Sequence, residues 1–297
     1  MAPERVIVTG STGFVGRSLV AQLARPFQPL HFGAADWRSE LEAADFAGST
    51  VIHLAGRAHR SGTRDEYRAD NLEKTRALAA AAAAGRARRV VFLSTIKVNG
   101  EETHGRAFTP DDSPAPEDEY ARSKWAAEQA IAAASARAGV EYAIVRSPLV
   151  YGTGVAGNLL ALLRLADSRL PLPFAALANR RSFLHVDDLA RVLLACAAAP
   201  RAAGRTYLVA HRAPVSTARL VGLLREKLER PARLFAMPSP VLEAAALVAG
   251  QRARMLRLTR SLEVDPSRAE SELDWTAQIS LEAAVEDMVN AYRAEPS

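Results

Sequence analysis

The amino-acid sequence predicts an α/β fold in which helices cover both faces of a doubly wound, parallel sheet. Short apolar runs rich in β-branched residues alternate with segments of helical periodicity through the first half of the chain. Such runs are typical of strands that are buried on both faces. A glycine-rich turn links the first run to the first helix, and small or hydroxyl-bearing residues end the later runs. Together these features indicate an open sheet with a ligand crevice at the strand ends.

The first half of the chain supplies the elements of this sheet in alternating order. Strands are predicted at 5–9, 50–56, 89–93 and 141–146, and helices at 14–24, 67–84 and 121–137. The stretch between the first helix and residue 36 has room for about one short strand. A polar loop that contains three prolines, residues 97–119, leads to Tyr120.

The turn after the first strand predicts an anion site. Its glycines follow one another at every third position, Gly10, Gly13 and Gly16. Gly10 suits a tight turn, Gly13 lets a phosphate approach the backbone, and Gly16 lets the helix pack closely against the sheet. The N-terminus of the following helix then faces the anion. The strand before the turn and the helix after it favour a Rossmann-like dinucleotide site over a ligand-free turn.

The acidic residue that usually completes such a site is displaced along the chain. A dinucleotide site normally has Asp or Glu at the end of the second strand, where it binds the ribose hydroxyls. Here Asp36 could contact the ribose or the adenine, or it could cap the turn before Trp37. Arg38 could pair with a 2′-phosphate. These residues leave both NAD and NADP open.

Tyr120 and Lys124 form a candidate proton-transfer pair. They are four residues apart in a segment of good helix formers, so both side chains lie on one helix face. A tyrosine titrates near pH ~10, and a neighbouring lysine cation is expected to lower that pKa. Ser94 and Thr95 end a strand, as do Ala55 and Gly56, and all should meet the glycine turn in one crevice. Thr95 could donate to the substrate oxygen or cap a turn.

The second half of the chain predicts a smaller, discontinuous domain. We expect residues 1–150 to form a dinucleotide-binding domain with the catalytic residues and residues 151–297 mainly a substrate-binding domain. Segments near 181–211 should return to the first sheet. The predicted strands are 181–185 and 205–209, and the predicted helices are 158–165, 186–198, 216–228, 240–257 with a break at Gly250, 267–273 and 281–292.

Composition excludes several classes of protein. No apolar run reaches the ~18 residues that span a bilayer, and Met1 to Arg5 lead directly into a strand rather than a signal sequence. We therefore expect a cytoplasmic protein with no membrane partner. The net charge of +5 could reflect an anionic ligand, but no nucleic-acid-binding motif is present. Cys196 is expected to be a buried thiol, and Asp187 and Asp188 suit a helix N-terminus better than a metal site.

Five motifs, taken in order, resemble those of the extended short-chain dehydrogenase/reductase family. More narrowly, the chain looks like the NAD-dependent epimerase/dehydratase branch that acts on nucleotide sugars. The segments 94–101 and 179–183, with Asn158, look most like enzymes of bacterial surface-polysaccharide synthesis. The five motifs are Thr9-Gly10-Ser11-Thr12-Gly13-Phe14-Val15-Gly16, His53-Leu54-Ala55-Gly56, Leu93-Ser94-Thr95 with Gly100, Tyr120-Ala121-Arg122-Ser123-Lys124 and Arg146-Ser147-Pro148-Leu149-Val150-Tyr151-Gly152.

The resemblance implies roles for individual residues and for partners. It implies NAD as cofactor, with NADP not excluded, a UDP-linked sugar as substrate, no metal, and a homodimer formed through the helices at 67–84 and 121–137. Leu149 stands where many hexose 4-epimerases carry Asn. The implied catalytic residues are Thr95, Tyr120 and Lys124; the substrate residues are Thr95, Asn158, Arg181 and Arg260; the cofactor residues are Gly10, Thr12, Gly13, Phe14, Val15, Gly16, Asp36, Leu54, Ala55, Gly56, Ser94, Tyr120 and Lys124.

The function expected from this resemblance is chemistry at C4 of a UDP-hexose or UDP-N-acetylhexosamine, either as a 4-epimerase or as a 4-keto reductase. Dehydration is disfavoured because Ile96 and Lys97 follow Thr95 in place of an acidic pair. Two alternatives stay open. One is an NADP-dependent ketone or aldehyde reductase with a non-nucleotide substrate, and the other is a non-catalytic NAD(P)-binding protein.

Overall fold

The computed structural model describes residues 5–58 and 62–294. Residues 1–4, which carry most of the expectation about a signal sequence, lie outside these ranges. At the centre is a six-stranded sheet in which every neighbouring pair of strands is parallel. In spatial order its strands are β2 (Phe27–Leu30), β1 (Val6–Thr9), β3 (Thr50–His53), β4 (Arg89–Thr95), β5 (Glu141–Ser147) and β8 (Arg205–Leu208).

The strand order reverses between β1 and β3, as the doubly wound fold requires. From β1 the chain first moves outward to β2 and then crosses back to build β3, β4 and β5 on the other side. A crevice opens at the carboxyl ends of the strands beside such a reversal. The single short strand expected before residue 36 is β2. It lies at the edge of the sheet, where Pro29 is tolerated because no further strand needs the backbone N–H that proline lacks.

Helices cover both faces of the sheet. In chain order they are α1 (Phe14–Gln22), α2 (Trp37–Ala43), α3 (Arg64–Tyr67), α4 (Lys74–Ala84), α5 (Glu119–Ala138), α6 (Gly157–Asp167), α7 (Val186–Ala198), α8 (Thr217–Lys227), α9 (Ser239–Val248), α10 (Arg252–Thr259), α11 (Ser267–Leu273) and α12 (Leu281–Ala294). A π-helical segment, Arg68–Glu73, joins α3 to α4, and 3-10 turns occupy Ile96–Val98 and Pro200–Ala202. No helix in the two described ranges is long and apolar enough to cross a membrane.

Alternate residues of each strand point to opposite faces of the sheet, into the two halves of the main core. Val8, Ile52 and Val91 pack with α1 and α7 on one face of the sheet. Ile7 and Val51 pack with α4 and α5 on the other face. Both faces of the sheet are therefore shielded from water, which explains the continuous apolar runs in the sequence. The predicted α/β, doubly wound fold is confirmed.

A second core lies outside the central sheet. Leu163 of α6, Leu224 of α8 and Val285 of α12 are fully buried in it. A two-stranded parallel sheet joins this core, formed by β6 (Leu149–Tyr151) and β7 (Phe183–His185). Strand β8 belongs to the central sheet, whereas β7 pairs with β6. A domain boundary near residue 150 stays a prediction.

Some boundaries differ from those expected, for local reasons. The helix predicted at 67–84 begins earlier, at Arg64, because Thr63 and Glu66 form a reciprocal capping box. The break predicted at Gly250 within 240–257 is present, since Gly250 has φ of 67° and separates α9 from α10. Asp188 lies in the first turn of α7, as expected, and its buried carboxylate also accepts the backbone N–H groups of Gln278 and Ile279, both at 3.1 Å.

Candidate active site

The glycine turn is built by close backbone contacts. Gly10 has φ of +70°, and a side chain there would place its Cβ 2.8 Å from the backbone nitrogen of Ala55. A Cβ at Gly16 would collide with Gly10 and Ser11, which belong to the turn itself. Gly16 therefore allows the helix to close on the turn, a different contact from the helix–sheet approach that the sequence predicted. The turn is pressed against the end of β3.

The first turn of α1 presents backbone donors to this crevice. Its N-cap, Gly13, has no side chain to bond the free N–H groups, and no acidic residue lies in the first turn. Uncapped N–H groups and the helix dipole together attract a phosphate. Thr12 and Gly13 are exposed, and Phe14 and Val15 are half-buried. These residues fit the diphosphate of a dinucleotide such as NAD.

His53 holds the turn at the end of β3. The hydroxyl oxygen of Thr9 accepts the N–H groups of Leu54 and Ala55 at 3.2 and 3.1 Å, so its own proton points to Nδ1 of His53, 2.6 Å away. The other ring nitrogen of His53 lies 2.8 Å from the hydroxyl of Thr75. Burial lowers the pKa of His53 to about 3, so the ring is neutral. This role of His53 was not predicted from the sequence, although a polar residue inside a buried strand must find partners.

Asn71 links two of the predicted motifs. It lies in the π-helical segment, and its Oδ1 accepts the backbone N–H of Arg57 at 2.7 Å. Its Nδ2 donates to the hydroxyl of Ser123 at 2.9 Å. A Cβ built at Gly56 would lie 2.9 Å from Oδ1 of Asn71 and 3.8 Å from Nζ of Lys124. Nothing in the sequence singled out Asn71, apart from its polarity within an alanine-rich helix.

Thr95 and Tyr120 form a hydrogen bond at the carboxyl end of β4. The backbone N–H of Lys97 donates to Oγ1 of Thr95 at 3.3 Å. The hydroxyl proton of Thr95 is then free to point toward Tyr120. Asp118 caps α5 by accepting the N–H of Ala121 at 2.7 Å and also receives the ammonium of Lys97 at 2.5 Å. The convergence of Thr95 and Tyr120 is as the sequence predicted.

The protonation of Tyr120 differs from the expected direction. Burial raises its pKa above the ordinary value, and the hydrogen bond with Thr95 opposes this only in part. Lys124 is 5% exposed, and its ammonium lies 3.9 Å from the centre of the Phe92 ring. Burial lowers the pKa of Lys124 to about 7, with Glu128 acting in the opposite direction. Desolvation disfavours both charged forms, so Lys124 is not the fixed cation that the sequence argument assumed.

A buried ionic network lies beside Thr95 on β4 and Lys124 on α5. The carboxylate of Glu128 accepts from Nε and Nη2 of Arg146 at 3.0 and 2.6 Å and also from the hydroxyl of Ser94. Nη1 of Arg146 donates to Asn99 at 2.9 Å. All four side chains are buried. Ser94 was expected to contact the cofactor, but its hydroxyl is bonded within this network, because the strand turns that side chain toward α5.

Asp36 lies away from the strand end at which a ribose-binding acid is expected. It is exposed and forms the N-cap of α2 without a side-chain cap bond. The residue that directly follows β2 is His31, whose backbone N–H donates to Glu40 at 2.8 Å. The guanidinium of Arg38 lies 4.5 Å from the centre of the Trp37 ring. The intervening turn therefore carries Asp36 six positions past the last residue of β2.

Two of the three predicted diphosphate residues come together. Nη1 of Arg181 donates to the backbone oxygen of Arg260 at 3.0 Å, and burial lowers the pKa of Arg181 to about 10. Arg260 pairs with Glu102 at 3.2 Å and with Glu243 at 3.1 Å. A phosphate at Arg260 must therefore compete with two carboxylates, which the sequence did not predict. Asn158 lies exposed in the first turn of α6.

The loop at 97–119 is anchored to the segment that follows α10. Thr103 N–H donates to the backbone oxygen of Ser261 at 2.9 Å, and Phe108 N–H donates to that of Glu263 at 2.9 Å. This loop therefore connects the side of the crevice that carries Tyr120 to the side that carries the arginines.

Comparison with known proteins places this geometry in a family. A family model described as "NAD dependent epimerase/dehydratase family" matches residues 6–210. The chain is 32% identical to a UDP-glucose 4-epimerase of Vibrio cholerae, with 98% of this chain and 96% of that protein aligned. It is 28% identical to a dTDP-6-deoxy-L-talose 4-dehydrogenase (NAD(P)(+)) of Kitasatospora kifunensis, with 99% of this chain and 98% of that protein aligned.

A solved structure supports the same fold. The crystal structure of a UDP-glucuronic acid 4-epimerase from Bacillus cereus, in complex with NAD, superposes with a TM-score of 0.76. It is 18% identical and covers 97% of this chain and 98% of its own, a similarity that shows the fold. The predicted fold class, the resemblance and the NAD-type cofactor are confirmed. The chain belongs to the NAD-dependent epimerase/dehydratase family, within the extended short-chain dehydrogenase/reductase type.

Proposed function

We propose that this enzyme is a UDP-sugar 4-epimerase, which inverts the configuration at C4 of a UDP-hexose or UDP-N-acetylhexosamine. The observation that carries the proposal is the hydrogen-bonded pair of Thr95 and Tyr120, with Lys124 one helical turn further along α5. Bound NAD supplies a reversible hydride acceptor. The similarity to the Vibrio cholerae 4-epimerase, which extends over nearly the whole length of both chains, supports the reaction class.

In this proposal three side chains manage the proton on the C4 oxygen. Tyr120 takes the proton of the C4 hydroxyl in its ionised form, which the positive charge of oxidised nicotinamide would favour, and later returns that proton to the same oxygen. Thr95 polarises that oxygen with its hydroxyl proton, because its acceptor side is already occupied by the N–H of Lys97. Lys124 lies on the same helix face as Tyr120 and holds the nicotinamide ribose. Gly56 borders this lysine, since a Cβ built there would lie 3.8 Å from Nζ of Lys124.

The remaining residues bind the two diphosphates. The glycine turn and the uncapped start of α1 are proposed to hold the diphosphate of the dinucleotide. Arg181 is proposed to hold the diphosphate of the UDP-sugar, with Asn158 and Arg260 as further contacts. Arginine suits this task because its planar guanidinium can bond two phosphate oxygens at once. We also propose a cytoplasmic homodimer that associates through α4 and α5.

A 4-keto reductase is the second candidate, and one observation favours it. The raised pKa of Tyr120 keeps the phenol protonated at neutral pH, which suits donation of a proton to a ketone oxygen. A reductase runs this step once and consumes NAD(P)H, whereas an epimerase returns its hydride to the sugar. The similarity to the Kitasatospora kifunensis 4-dehydrogenase is compatible with such one-way chemistry.

The decisive experiment incubates purified protein with UDP-N-acetylglucosamine and no added cofactor, followed by proton NMR. Appearance of the galacto epimer supports the epimerase, because it requires a retained and recycled NAD. Consumption of added NAD(P)H with a UDP-4-keto sugar, without epimerisation, replaces it with the reductase. Absence of both reactions, in a sample shown to bind NAD, would overturn the proposal in favour of a non-nucleotide ketone reductase or a binding protein.

A further inference from the structure

Helix α9 is apolar on the side that faces solvent. Val241, Ala244, Ala245 and Val248 follow the i, i+3, i+4, i+7 spacing of one helix face, and all four are exposed. The exposed fraction of Val248 is 91%. Leu242, on the other side, is buried in the second core. A surface helix that is apolar on both faces normally has a second surface to pack against.

Exposed large hydrophobic side chains are concentrated on α9 and in the segment just before it. Single exposed hydrophobic residues are normal on a protein surface, but a contiguous group marks an interaction site. In the described ranges, 5–58 and 62–294, four of the five such side chains lie between residues 235 and 248, and the fifth is Leu170. The four are Phe235, Val241, Leu247 and Val248.

The same surface is positively charged. Residues 231–260 contain five arginines and one acidic residue, Glu243. Glu243 is occupied by Thr259 at 2.8 Å and by Arg260 at 3.1 Å. Arg252 and Arg254 are exposed at the start of α10, directly after the α9 turn, and neither forms a salt bridge with any residue that the structure describes. The apolar face of α9 is therefore bordered by exposed arginines that no direct salt bridge neutralises in the described part of the chain.

We propose that the α9–α10 hairpin docks on the surface of an anionic lipid bilayer. The apolar face of α9 would enter the boundary between headgroups and acyl chains, and Arg252 and Arg254 would pair with headgroup phosphates. The charges also argue against a second copy of the chain as the occupant. Two such faces brought together would place like charges opposite one another, a costly arrangement.

Docking of α9 on a bilayer would replace the expectation that the protein has no membrane partner. That expectation considered only whether an apolar run could span a bilayer. Helix α9 has 10 residues, which is about 15 Å of helix, so it can lie in the interface but cannot cross. Only the folded structure shows which side of α9 is left uncovered.

The test is co-sedimentation of the full-length protein with vesicles. Vesicles of equal parts phosphatidylglycerol and phosphatidylcholine are compared with vesicles of phosphatidylcholine alone, at low and at high salt. We expect the wild-type protein to bind the anionic vesicles at low salt, to dissociate from them at high salt and not to bind the neutral vesicles. Failure to bind the anionic vesicles overturns the proposal.

Two double variants separate the apolar and the charged contributions. V241E/V248E removes the apolar face, and R252E/R254E reverses the cations. R252E/R254E should weaken vesicle binding about tenfold or more, because it replaces two attractive charges with two repulsive ones. V241E/V248E should have an effect of about the same size, because it places charge on the face that enters the headgroup boundary. All four side chains are exposed, so both variants should keep the wild-type unfolding temperature and turnover. V248S alone provides a milder apolar change should V241E/V248E fail to fold.

A matched control reverses two exposed arginines elsewhere. R137E/R201E makes the same change of net charge on α5 and on the turn after α7, and it should bind as the wild type does. Equal loss in this control would overturn the proposal by showing that binding follows net charge alone. Unchanged vesicle binding by V241E/V248E would also overturn the proposal, by showing that the apolar face is not needed. A change in sedimentation coefficient for V248S without lipid would identify the face as a contact between copies of the chain.

Discussion

The two sides of the crevice are built on different kinds of charge pairing. On the sheet side, the Glu128 and Arg146 side chains are 1% and 4% exposed, and they bond each other directly. On the opposite side, Arg260 is 40% exposed and shares its guanidinium between Glu102 and Glu243. From this difference we infer that the fold fixes the sheet side, whereas the side that carries Arg260 is free to rearrange around a ligand.

The physical reason is the cost of separating each pair. Breaking a buried pair leaves one charge without water or a partner, so such a pair holds its geometry firmly. An exposed pair exchanges with water or another anion at little cost. The sheet side should therefore hold Thr95 and Tyr120 in place before ligands bind. The arginine side can exchange carboxylates for phosphates.

The largest effect should follow from Tyr120→Phe. Loss of the phenolic proton carrier should lower kcat by about 10²- to 10⁴-fold, while NAD binding measured by calorimetry stays unchanged. Tyr67→Phe is the matched control, because its ring lies 6.0 Å from that of Tyr120 but has no proposed role in proton transfer. Turnover that survives in Tyr120→Phe would contradict the mechanism.

Glu128→Gln should test the rigidity of the sheet side. It leaves Arg146 buried without its counter-charge, so the free energy of unfolding should fall by about 3–5 kcal/mol in urea titrations. Glu282→Gln, which breaks the exposed pair with Arg219, should cost no more than about 1 kcal/mol. Similar losses in the two variants would remove the contrast between buried and exposed pairing.

Arg181→Gln should test the substrate on the arginine side. Loss of a charge-assisted contact to the diphosphate should raise KM for the UDP-sugar about tenfold to a hundredfold, with little change in NAD affinity. Arg180→Gln, which removes an exposed pair with Glu263, is the matched control. An unchanged KM in Arg181→Gln would favour a substrate without a nucleotide.

The buried lysine predicts how stability depends on pH. The pKa of Lys124 falls from 10.5 to about 7 on folding, so the unfolded chain binds more protons between these values. The free energy of unfolding should rise with pH across this range, by up to about 1.4 kcal/mol per pH unit. Lys124→Met should flatten that dependence, whereas Lys227→Met, at the surface where the hydrogen bond with Glu286 raises the lysine pKa, should change stability only at the alkaline end. Parallel curves for wild type and Lys124→Met would refute the assigned pKa shift.

The smallest effect should come from Glu102→Gln. Removing one of the two carboxylates that compete for Arg260 should tighten substrate binding by about two- to fivefold, the size of an exposed pair. Steady-state KM with the wild type alongside is sufficient to detect this. A weaker affinity would instead show that Glu102 holds Arg260 in its binding position.

Much of the active site could be predicted because it depends on local periodicity and on one rule of sheet topology. Tyr120 and Lys124 share a face because they are four residues apart on a helix. Thr95 meets them because the ends of parallel strands face the same crevice. Asn71 and His53 were missed. Their roles depend on a π-helical segment and on partners in distant segments of the chain, which no sequence spacing indicates.

The sequence by itself determined the alternation of strands and helices, the glycine turn and the family of the enzyme, since each depends on residues that are close along the chain. The tertiary structure alone decided the protonation of Tyr120 and Lys124, the bonding of Ser94 to Glu128 and the exposure of the apolar side of α9. These properties depend on how much water each side chain keeps after folding, and distant segments of the chain remove that water.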